Sequence, residues 1–148
     1  MAELQDLYQE VILEHSKSPR NFREMEAASH KAEGYNPLCG DHYVLFIDVS
    51  GSVIREITFQ GSGCAISKAS ASMMSQLLRG KTTQEAEDLF KRFHKVVTGE
   101  GKGEVDELGK LQVFAGVAAF PTRIKCATLA WHTLRAALRG DQVASTED

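Results

Sequence analysis

The sequence predicts one domain that combines a β-hairpin with amphipathic helices before and after it. Apolar residues alternate over residues 43–60 and are interrupted by the turn signal Ser50-Gly51-Ser52, which is typical of two antiparallel strands. Outside this segment, apolar residues recur at spacings of three and four, which is typical of helices that bury one face. The length of 148 residues is that of a single domain, so we expect one domain over residues 1–148.

The first predicted helix lies near the N-terminus. Ser18-Pro19 ends this helix, because proline disfavours helical geometry at the residue before it. We interpret His15, on the apolar face, as a buried structural residue rather than a metal ligand. Residues 20–33 show no firm period, and residues 34–40 contain glycine and proline, so we expect irregular structure up to the hairpin. The apolar face of the helix consists of Leu4, Leu7, Tyr8, Val11, Ile12 and His15.

The hairpin is predicted to bury one face of its first strand. Tyr43, Leu45 and Ile47 have the same parity, so their side chains should point to one side of the sheet. Cys39 and Asp41 share this parity if the extended conformation runs back from Tyr43 without a bulge. The pattern therefore predicts that both point to the face that the helices cover.

Two helices are predicted directly after the hairpin. Cys64 lies at the start of the first, which ends near Gly80 as its C-cap. Thr82 or Thr83 caps the second helix. The apolar face of this second helix consists of Ala86, Leu89, Phe90, Phe93 and Val97.

The remaining part of the chain begins with a polar, glycine-rich break over residues 98–103. Pro121 opens the final helix, in a position where the missing N–H of proline costs nothing, and Gly140 ends it. Residues 141–148 are polar, and we expect a frayed tail there. Between the break and the final helix, a shorter helix is predicted to carry Leu108, Leu111, Phe114 and Ala118.

Composition and charge argue against several classes of function. A net charge of -3 is unlike that of a nucleic-acid-binding protein, which needs a concentrated basic patch. No apolar run approaches the roughly 20 residues of a membrane span, and the first residues lack the features of a signal peptide, so we expect a cytoplasmic protein that binds no membrane. Three cysteines in such a protein favour metal binding or thiol chemistry over a disulfide framework.

The three thiols and one carboxylate have the composition of a four-ligand metal site. Cys39 and Asp41 lie two residues apart before a strand, Cys64 lies at a helix start, and Cys126 lies on the second turn of the final helix. Zinc is commonly held by such ligands, and a helix N-terminus favours the thiolate form. The chain lacks a Cys-x-x-Cys pair, so three inert buried thiols remain the alternative. His42, next to Asp41, has the opposite strand parity, which argues against its binding the same ion.

Three stretches of the chain resemble the iron–sulfur cluster assembly proteins of the IscU/NifU N-terminal family, and within it the SufU branch. The resemblance covers nearly the whole chain and implies an α+β fold, with a small antiparallel sheet of about three strands and helices packed on one face. The stretches are Gly34-Tyr35-Asn36-Pro37-Leu38-Cys39-Gly40-Asp41, the segment that begins Gly61-Ser62-Gly63-Cys64-Ala65-Ile66-Ser67-Lys68, and Arg123-Ile124-Lys125-Cys126-Ala127-Thr128-Leu129-Ala130-Trp131.

Two departures from the scaffold-type members favour the SufU branch. Scaffold-type proteins carry a histidine directly before the third cysteine, where this chain has Lys125. They also carry a Leu-Pro-Pro-Val-Lys motif before that cysteine, and the corresponding residues here are Ala118-Ala119-Phe120-Pro121-Thr122-Arg123. Extra residues between the second and third cysteines, around 99–120, are a further SufU feature.

The resemblance implies a site and a reaction. The metal ligands would be Cys39, Asp41, Cys64 and Cys126, the metal zinc, and Cys39 the acceptor of persulfide sulfur. The sulfur donor would be a pyridoxal-phosphate-dependent cysteine desulfurase, and the sulfur would pass to an iron–sulfur scaffold or an apo-protein. Two alternatives remain open: an IscU-type scaffold that assembles a transient iron–sulfur cluster on the same residues, and a module whose zinc is purely structural.

Overall fold

The computed structural model of the protein describes the backbone of residues 2–99 and 106–145 and the side chains of residues 9–99, 111 and 113–145. Helices and strands alternate in blocks rather than one by one, as expected for an α+β fold. In chain order the elements are α1 (Ala2–Lys17), β1 (His30–Asn36), β2 (Asp41–Ser50), β3 (Val53–Ser62), α2 (Ala65–Leu77), α3 (Thr83–Val97), a 3₁₀ helix (Asp106–Ala119), α4 (Pro121–Leu138) and β4 (Val143–Ser145).

The four strands form one sheet in the order β3-β2-β1-β4. β2 pairs antiparallel with both β1 and β3, whereas β4 pairs parallel with β1. The predicted α+β class is confirmed, and the sheet has one strand more than the three expected. The predicted hairpin is β2–β3, with its turn at Gly51, whose positive φ of 63° suits glycine.

The core lies between one face of the sheet and the helices. Tyr43, Leu45 and Ile47 of β2 are fully buried on this face, as their shared parity predicts. α4 lies against β1 and β2, and α2 lies against β3. Trp131 of α4 is also fully buried and stacks on Phe93 of α3 with 4.9 Å between ring centroids. The sheet thus holds α2, which begins after Cys64, and α4, which carries Cys126, over the same face.

The prediction of irregular structure before the hairpin is wrong for β1. The buried positions of β1 are Ala32, Gly34 and Asn36, which have small or polar side chains and give no apolar period. A Cβ atom on Gly34 would lie 1.9 Å from Thr133 Oγ1 of α4, so the strand and the helix approach too closely for any larger residue. The residues of β1 are therefore determined by close packing against α4, and they do not form the apolar pattern of a typical strand.

The predicted frayed tail is also wrong in part. Val143–Ser145 pairs with residues 33–35 of β1, and Glu33 N donates to Gln142 O at 2.8 Å. Residues 146–148 lie outside the described part of the chain, as do residues 100–103 of the predicted polar break. The side chains of Leu4, Leu7, Tyr8 and Leu108 also lie outside it. The predicted shorter helix is a 3₁₀ helix, with Leu111 and Phe114 buried.

Other helix boundaries agree with the sequence signals, except that α2 ends at Leu77 with Leu78, rather than the predicted Gly80, as its C-cap. Thr82 caps α3 in a reciprocal capping box with Glu85, and Pro121 is the first residue of α4. His15 of α1 is buried, with its Nδ1 2.7 Å from Ser72 Oγ, which confirms it as a satisfied core residue. Over the described residues, no helix combines the length and the apolar character needed to cross a membrane.

Candidate metal centre

Cys39 lies on the turn that joins β1 to β2. The carbonyl oxygen of Asn36 accepts hydrogen bonds from the backbone N–H of Cys39 (3.2 Å) and of Gly40 (2.8 Å), and Gly40 has a positive φ of 74°. The parity argument for Cys39 requires an extended backbone from Cys39 to Tyr43, but the chain forms a turn at Cys39 and Gly40. The prediction that Cys39 points to the face covered by the helices is therefore wrong. Cys39 is exposed instead, which makes it accessible to a partner protein.

Asp41 is the first residue of β2 and is only 2% exposed. One carboxylate oxygen, Oδ1, accepts a hydrogen bond from the backbone N–H of Cys64 at 2.9 Å. The other, Oδ2, accepts from Asn36 Nδ2 at 3.0 Å. Asp41 thus ties the start of α2 to the end of β1, and its parity with Tyr43 is as predicted.

Cys64 is the N-cap of α2. Its Sγ accepts a hydrogen bond from the backbone N–H of Ser67 at 3.4 Å, so the thiol occupies the place that a serine or aspartate oxygen usually takes. The Ser67 hydroxyl lies 3.0 Å from Tyr43 OH and 3.6 Å from Cys64 Sγ. The sequence prediction that Cys64 begins a helix is confirmed.

Cys126 lies on α4 and is 2% exposed. Its Sγ lies 3.3 Å from Cys39 Sγ and accepts a hydrogen bond from Asn36 Nδ2 at 3.4 Å. Within the described part of the chain, the group of ligand atoms that all lie within 4.8 Å of one another comes from Cys39, Asp41 and Cys126. Cys64 falls outside that group, but its thiol interacts with Cys126. The structure therefore brings the four residues to one place, with Cys64 at its margin.

The thiols differ in their affinity for protons. The hydrogen bond with Cys126, supported by the hydrogen bonds from Ser67, lowers the pKa of Cys64 to about 6 against the opposing effect of burial. The pKa of Cys126 is raised, first by the negative charge that Cys64 carries in their shared hydrogen bond, then by burial and by Cys39. Without a metal, the two thiols therefore titrate as a pair in which Cys64 loses its proton more readily than Cys126.

This donor set fits zinc. Zinc binds cysteine sulfur at about 2.3 Å and carboxylate oxygen at about 2.0–2.2 Å, usually in a tetrahedron, and three thiols with one carboxylate make such a set. Two of the candidate ligands, Asp41 and Cys126, are buried and oriented by hydrogen bonds, as metal ligands generally are. No histidine belongs to the ligand group within the described residues, and His42 Nε2 lies 3.8 Å from Glu33. The sequence argument against His42 as a ligand is consistent with this contact.

Two residues of the centre, Asn36 and Ser67, were not predicted from the sequence. Asn36 precedes a proline and is typical of a turn, and Ser67 is one of several serines in α2. Both are buried because of contacts with distant parts of the chain, at 0% and 1% exposure. No local pattern distinguishes them from ordinary polar residues.

The three cysteines line a cavity of about 460 Å³. Its walls include Ile66 at the start of α2 and Phe120 and Arg123 at the start of α4. The Arg123 guanidinium lies over the Phe120 ring, 4.5 Å from its centroid. A second depression, of about 490 Å³, shares these three residues and extends to α1. The thiols therefore lie at one end of a continuous, largely apolar surface.

Comparison with known proteins gives consistent matches. Residues 7–139 match the family described as the NifU-like N terminal domain. The zinc-dependent sulfurtransferase SufU of Bacillus subtilis is 40% identical over 133 residues, which cover 90% of each chain. The iron–sulfur cluster assembly scaffold protein IscU of Streptococcus pyogenes is 39% identical, over 94% of this chain and 87% of that protein.

Solved structures show the same architecture. A protein of Fervidobacterium islandicum, described as a candidate iron–sulfur cluster assembly scaffold for the SUF system, superposes with a TM-score of 0.83 at 36% identity. The match covers 87% of this chain and 94% of that one. The structural match and the sequence matches thus cover nearly the same part of this chain.

Proposed function

This chain belongs to the NifU-like N-terminal domain family of iron–sulfur cluster assembly proteins, and we propose that it is a zinc-dependent sulfur acceptor. The observation that carries the proposal is the contrast between the thiols. Cys39 is exposed on a turn, whereas Cys126, 3.3 Å from it, is buried and hydrogen-bonded. A partner can therefore reach Cys39 without disturbing Asp41 or Cys126.

The residues that would hold the zinc ion are Cys39, Asp41, Cys64 and Cys126. Ligating thiols are kept as thiolates at neutral pH by a bound zinc ion, and the thiolate is the nucleophilic form. The chain itself orients the carboxylate of Asp41 through the N–H groups of Asn36 and Cys64. Ser67 orients the Cys64 sulfur in the same way.

The transfer step is a thiol exchange. The Cys39 thiolate attacks the terminal sulfur of a persulfide on the partner, a pyridoxal-phosphate-dependent cysteine desulfurase. A bond forms between Cys39 Sγ and the terminal sulfur, which keeps its proton, while the sulfur–sulfur bond of the partner breaks. The electron pair of that bond leaves with the partner's cysteine as a thiolate. Cys39 then carries the persulfide, on a turn that is accessible to the next acceptor, either an iron–sulfur scaffold or an apo-protein.

The surroundings of Cys39 suit this exchange. The cavity over the thiols is large enough for a cysteine persulfide side chain, and its walls include the apolar side chains of Ile66 and Phe120. Arg123 brings a positive charge to the same wall, where the departing thiolate needs stabilisation.

The proposal is tested by incubating the purified protein with a cysteine desulfurase and cysteine, then locating the persulfide by peptide mass spectrometry. We expect the extra sulfur on Cys39, and its loss in Cys39→Ser. Omission of cysteine is the control for sulfur carried over from purification. Sulfur on no cysteine, or on Cys126 alone, would contradict the proposal.

The second candidate is a scaffold on which a transient iron–sulfur cluster is assembled, since the relative from Streptococcus pyogenes is named as one. The same Cys39, Cys64 and Cys126 would bind the cluster, with Asp41 as an exchangeable oxygen ligand. Lys125 precedes Cys126, and a charged lysine has no lone pair to offer a metal. A stable cluster spectrum after anaerobic addition of iron and sulfide, with no persulfide on Cys39, would favour this candidate. Lys125→His should improve cluster retention only if that position limits it.

A purely structural zinc site is the third reading. Asp41→Ala distinguishes it from the other two: the variant should unfold more easily if zinc only stabilises the fold, whereas sulfur transfer should change most if the site is functional. Closed structural sites favour four cysteines or cysteines with histidine, which argues against this reading here.

A further inference from the structure

Asn36 is placed between three of the proposed ligands. It is the last residue of β1 and is 0% exposed. Its side-chain nitrogen donates to Asp41 Oδ2 at 3.0 Å and to Cys126 Sγ at 3.4 Å. Its backbone oxygen accepts from the N–H groups of Cys39 and Gly40, which fixes the Cys39 turn. One residue therefore contacts Asp41 and Cys126 by its side chain and supports the Cys39 turn by its backbone.

The chemistry of the amide explains why this position needs asparagine. The Nδ2 atom carries two protons, so it can donate to a carboxylate and a sulfur at the same time. An aspartate has the same size but offers only acceptors when ionised, and it would place a second carboxylate beside Asp41. An alanine would leave Asp41 and Cys126 without these donors while keeping the backbone bonds to the turn.

The hydrogen bonds divide the ligands into two kinds. Asp41 receives N–H donors on both oxygens, Cys126 receives one from Asn36, and Cys64 receives one from Ser67. Cys39 Sγ, by contrast, has Cys126 as its only hydrogen-bond contact within the described residues. Hydrogen-bond donors outside the ligand shell fix ligands in place and tune their strength as donors. Cys39 is thus the ligand that can move alone.

We propose that Asn36 is a positioning residue that keeps Asp41 and Cys126 in place on the metal when Cys39 leaves it to take up sulfur. The inference rests on the proposed function for the identity of the reaction. Its structural content, that the side chain acts on the retained ligands and the backbone on the Cys39 turn, can be tested without a partner protein.

The test is a double-mutant cycle on zinc affinity, measured by competition with a chromophoric chelator. Asn36→Ala is compared with the wild type, and Asn36→Ala combined with Cys39→Ala is compared with Cys39→Ala alone. Loss of such a supporting hydrogen bond typically weakens metal binding about 10–100-fold. We expect a loss of this size in both backgrounds, because the retained ligands are present in both.

A matched control is Ser70→Ala, which removes a buried hydrogen bond between α2 and α4, from Ser70 Oγ to Ala127 O at 2.6 Å, without touching a ligand. Its zinc affinity should stay close to that of the wild type. Should Asn36→Ala fail to fold, the wild-type protein loaded with cadmium-113 supplies the second measurement. A scalar coupling between the metal and the Asn36 side-chain protons, carried through Cys126, is expected.

The outcomes separate the inference from the function on which it rests. Unchanged zinc affinity in both backgrounds, or absence of the cadmium coupling, overturns the role of Asn36. An effect that vanishes in the Cys39→Ala background also overturns it, since Asn36 would then act only through the turn. If the wild type accepts no sulfur from a desulfurase, the proposed function fails, whereas the zinc affinities still decide whether Asn36 holds the retained ligands.

Discussion

Gly63→Ala would place a methyl group in the most crowded part of the candidate metal centre. A Cβ atom at this position would lie 2.5 Å from Asp41 Oδ1, 2.6 Å from Ser67 Oγ and 2.7 Å from Tyr43 OH. Ordinary van der Waals contacts begin near 3.4 Å, so the Asp41 carboxylate would have to move by about 0.9 Å to relieve its own clash with the new methyl group. Such a movement would break its hydrogen bond from Cys64 N and shift Asp41 away from its position beside Cys126.

Overpacking of this kind costs about 1–3 kcal/mol of folding stability. We therefore expect the free energy of unfolding of the metal-free protein, measured by urea titration, to fall by that amount, and the zinc affinity to fall at least tenfold. Gly116→Ala is the matched control, because a Cβ atom on Gly116 meets nothing within 4 Å. The reasoning is refuted if Gly63→Ala binds zinc like the wild type and is no less stable than Gly116→Ala.

Three further predictions follow from contacts outside the ligand group or from its protonation. In the metal-free protein the pKa of Cys64 is lowered to about 6 from the ordinary value of 9.0. Between these two pH values the unfolded chain binds more protons than the folded one, so the free energy of unfolding rises with pH. Urea titrations at pH 6 and pH 8.5 should show this rise in the wild type and not in Cys64→Ser. His15→Leu removes one of two partners of the buried Ser72 hydroxyl, which keeps only the backbone N–H of Arg20 as a donor, so the hydroxyl proton loses its acceptor. The unfolding free energy should fall by about 1–3 kcal/mol, whereas an unchanged urea midpoint would show that the contact contributes nothing. Thr82→Ala removes the acceptor for Glu85 N and should cost about 0.5–2 kcal/mol in thermal or urea unfolding, with Thr82→Ser as the variant that restores it.

The sequence predicts those parts of the fold whose signals are local. The β2–β3 hairpin has alternating apolar residues and a glycine turn, and α3 has both a capping box and an apolar face. Cys64 could be placed at a helix start because glycines precede it and small residues follow. These signals lie within a few residues of the elements that they define, so a single sequence contains them.

The missed elements depend on distant partners. The buried positions of β1 include Ala32 and Gly34, because α4 packs too closely on this strand for larger side chains. The strand therefore lacks the alternating large apolar residues by which a strand is usually recognised. β4 has three residues and is recognised as a strand by its pairing with β1. Asn36 gains its role from contacts with Cys126, 90 residues away in sequence. Candidate ligands could be proposed from residue type, but the orientation of their side chains required the fold.

The large sequence separation within the centre has a consequence for folding. Asp41 and Cys64 are 23 residues apart and can meet once the hairpin forms, whereas Cys126 lies 87 residues from Cys39 and arrives only when α4 docks on β1. We expect the contact between Cys39 and Cys126 to form later than the one between Asp41 and Cys64, because closing the longer loop costs more conformational entropy. The complete set of proposed ligands therefore exists only in folded molecules, so a metal ion that needs all four would bind the native protein and not partly folded chains.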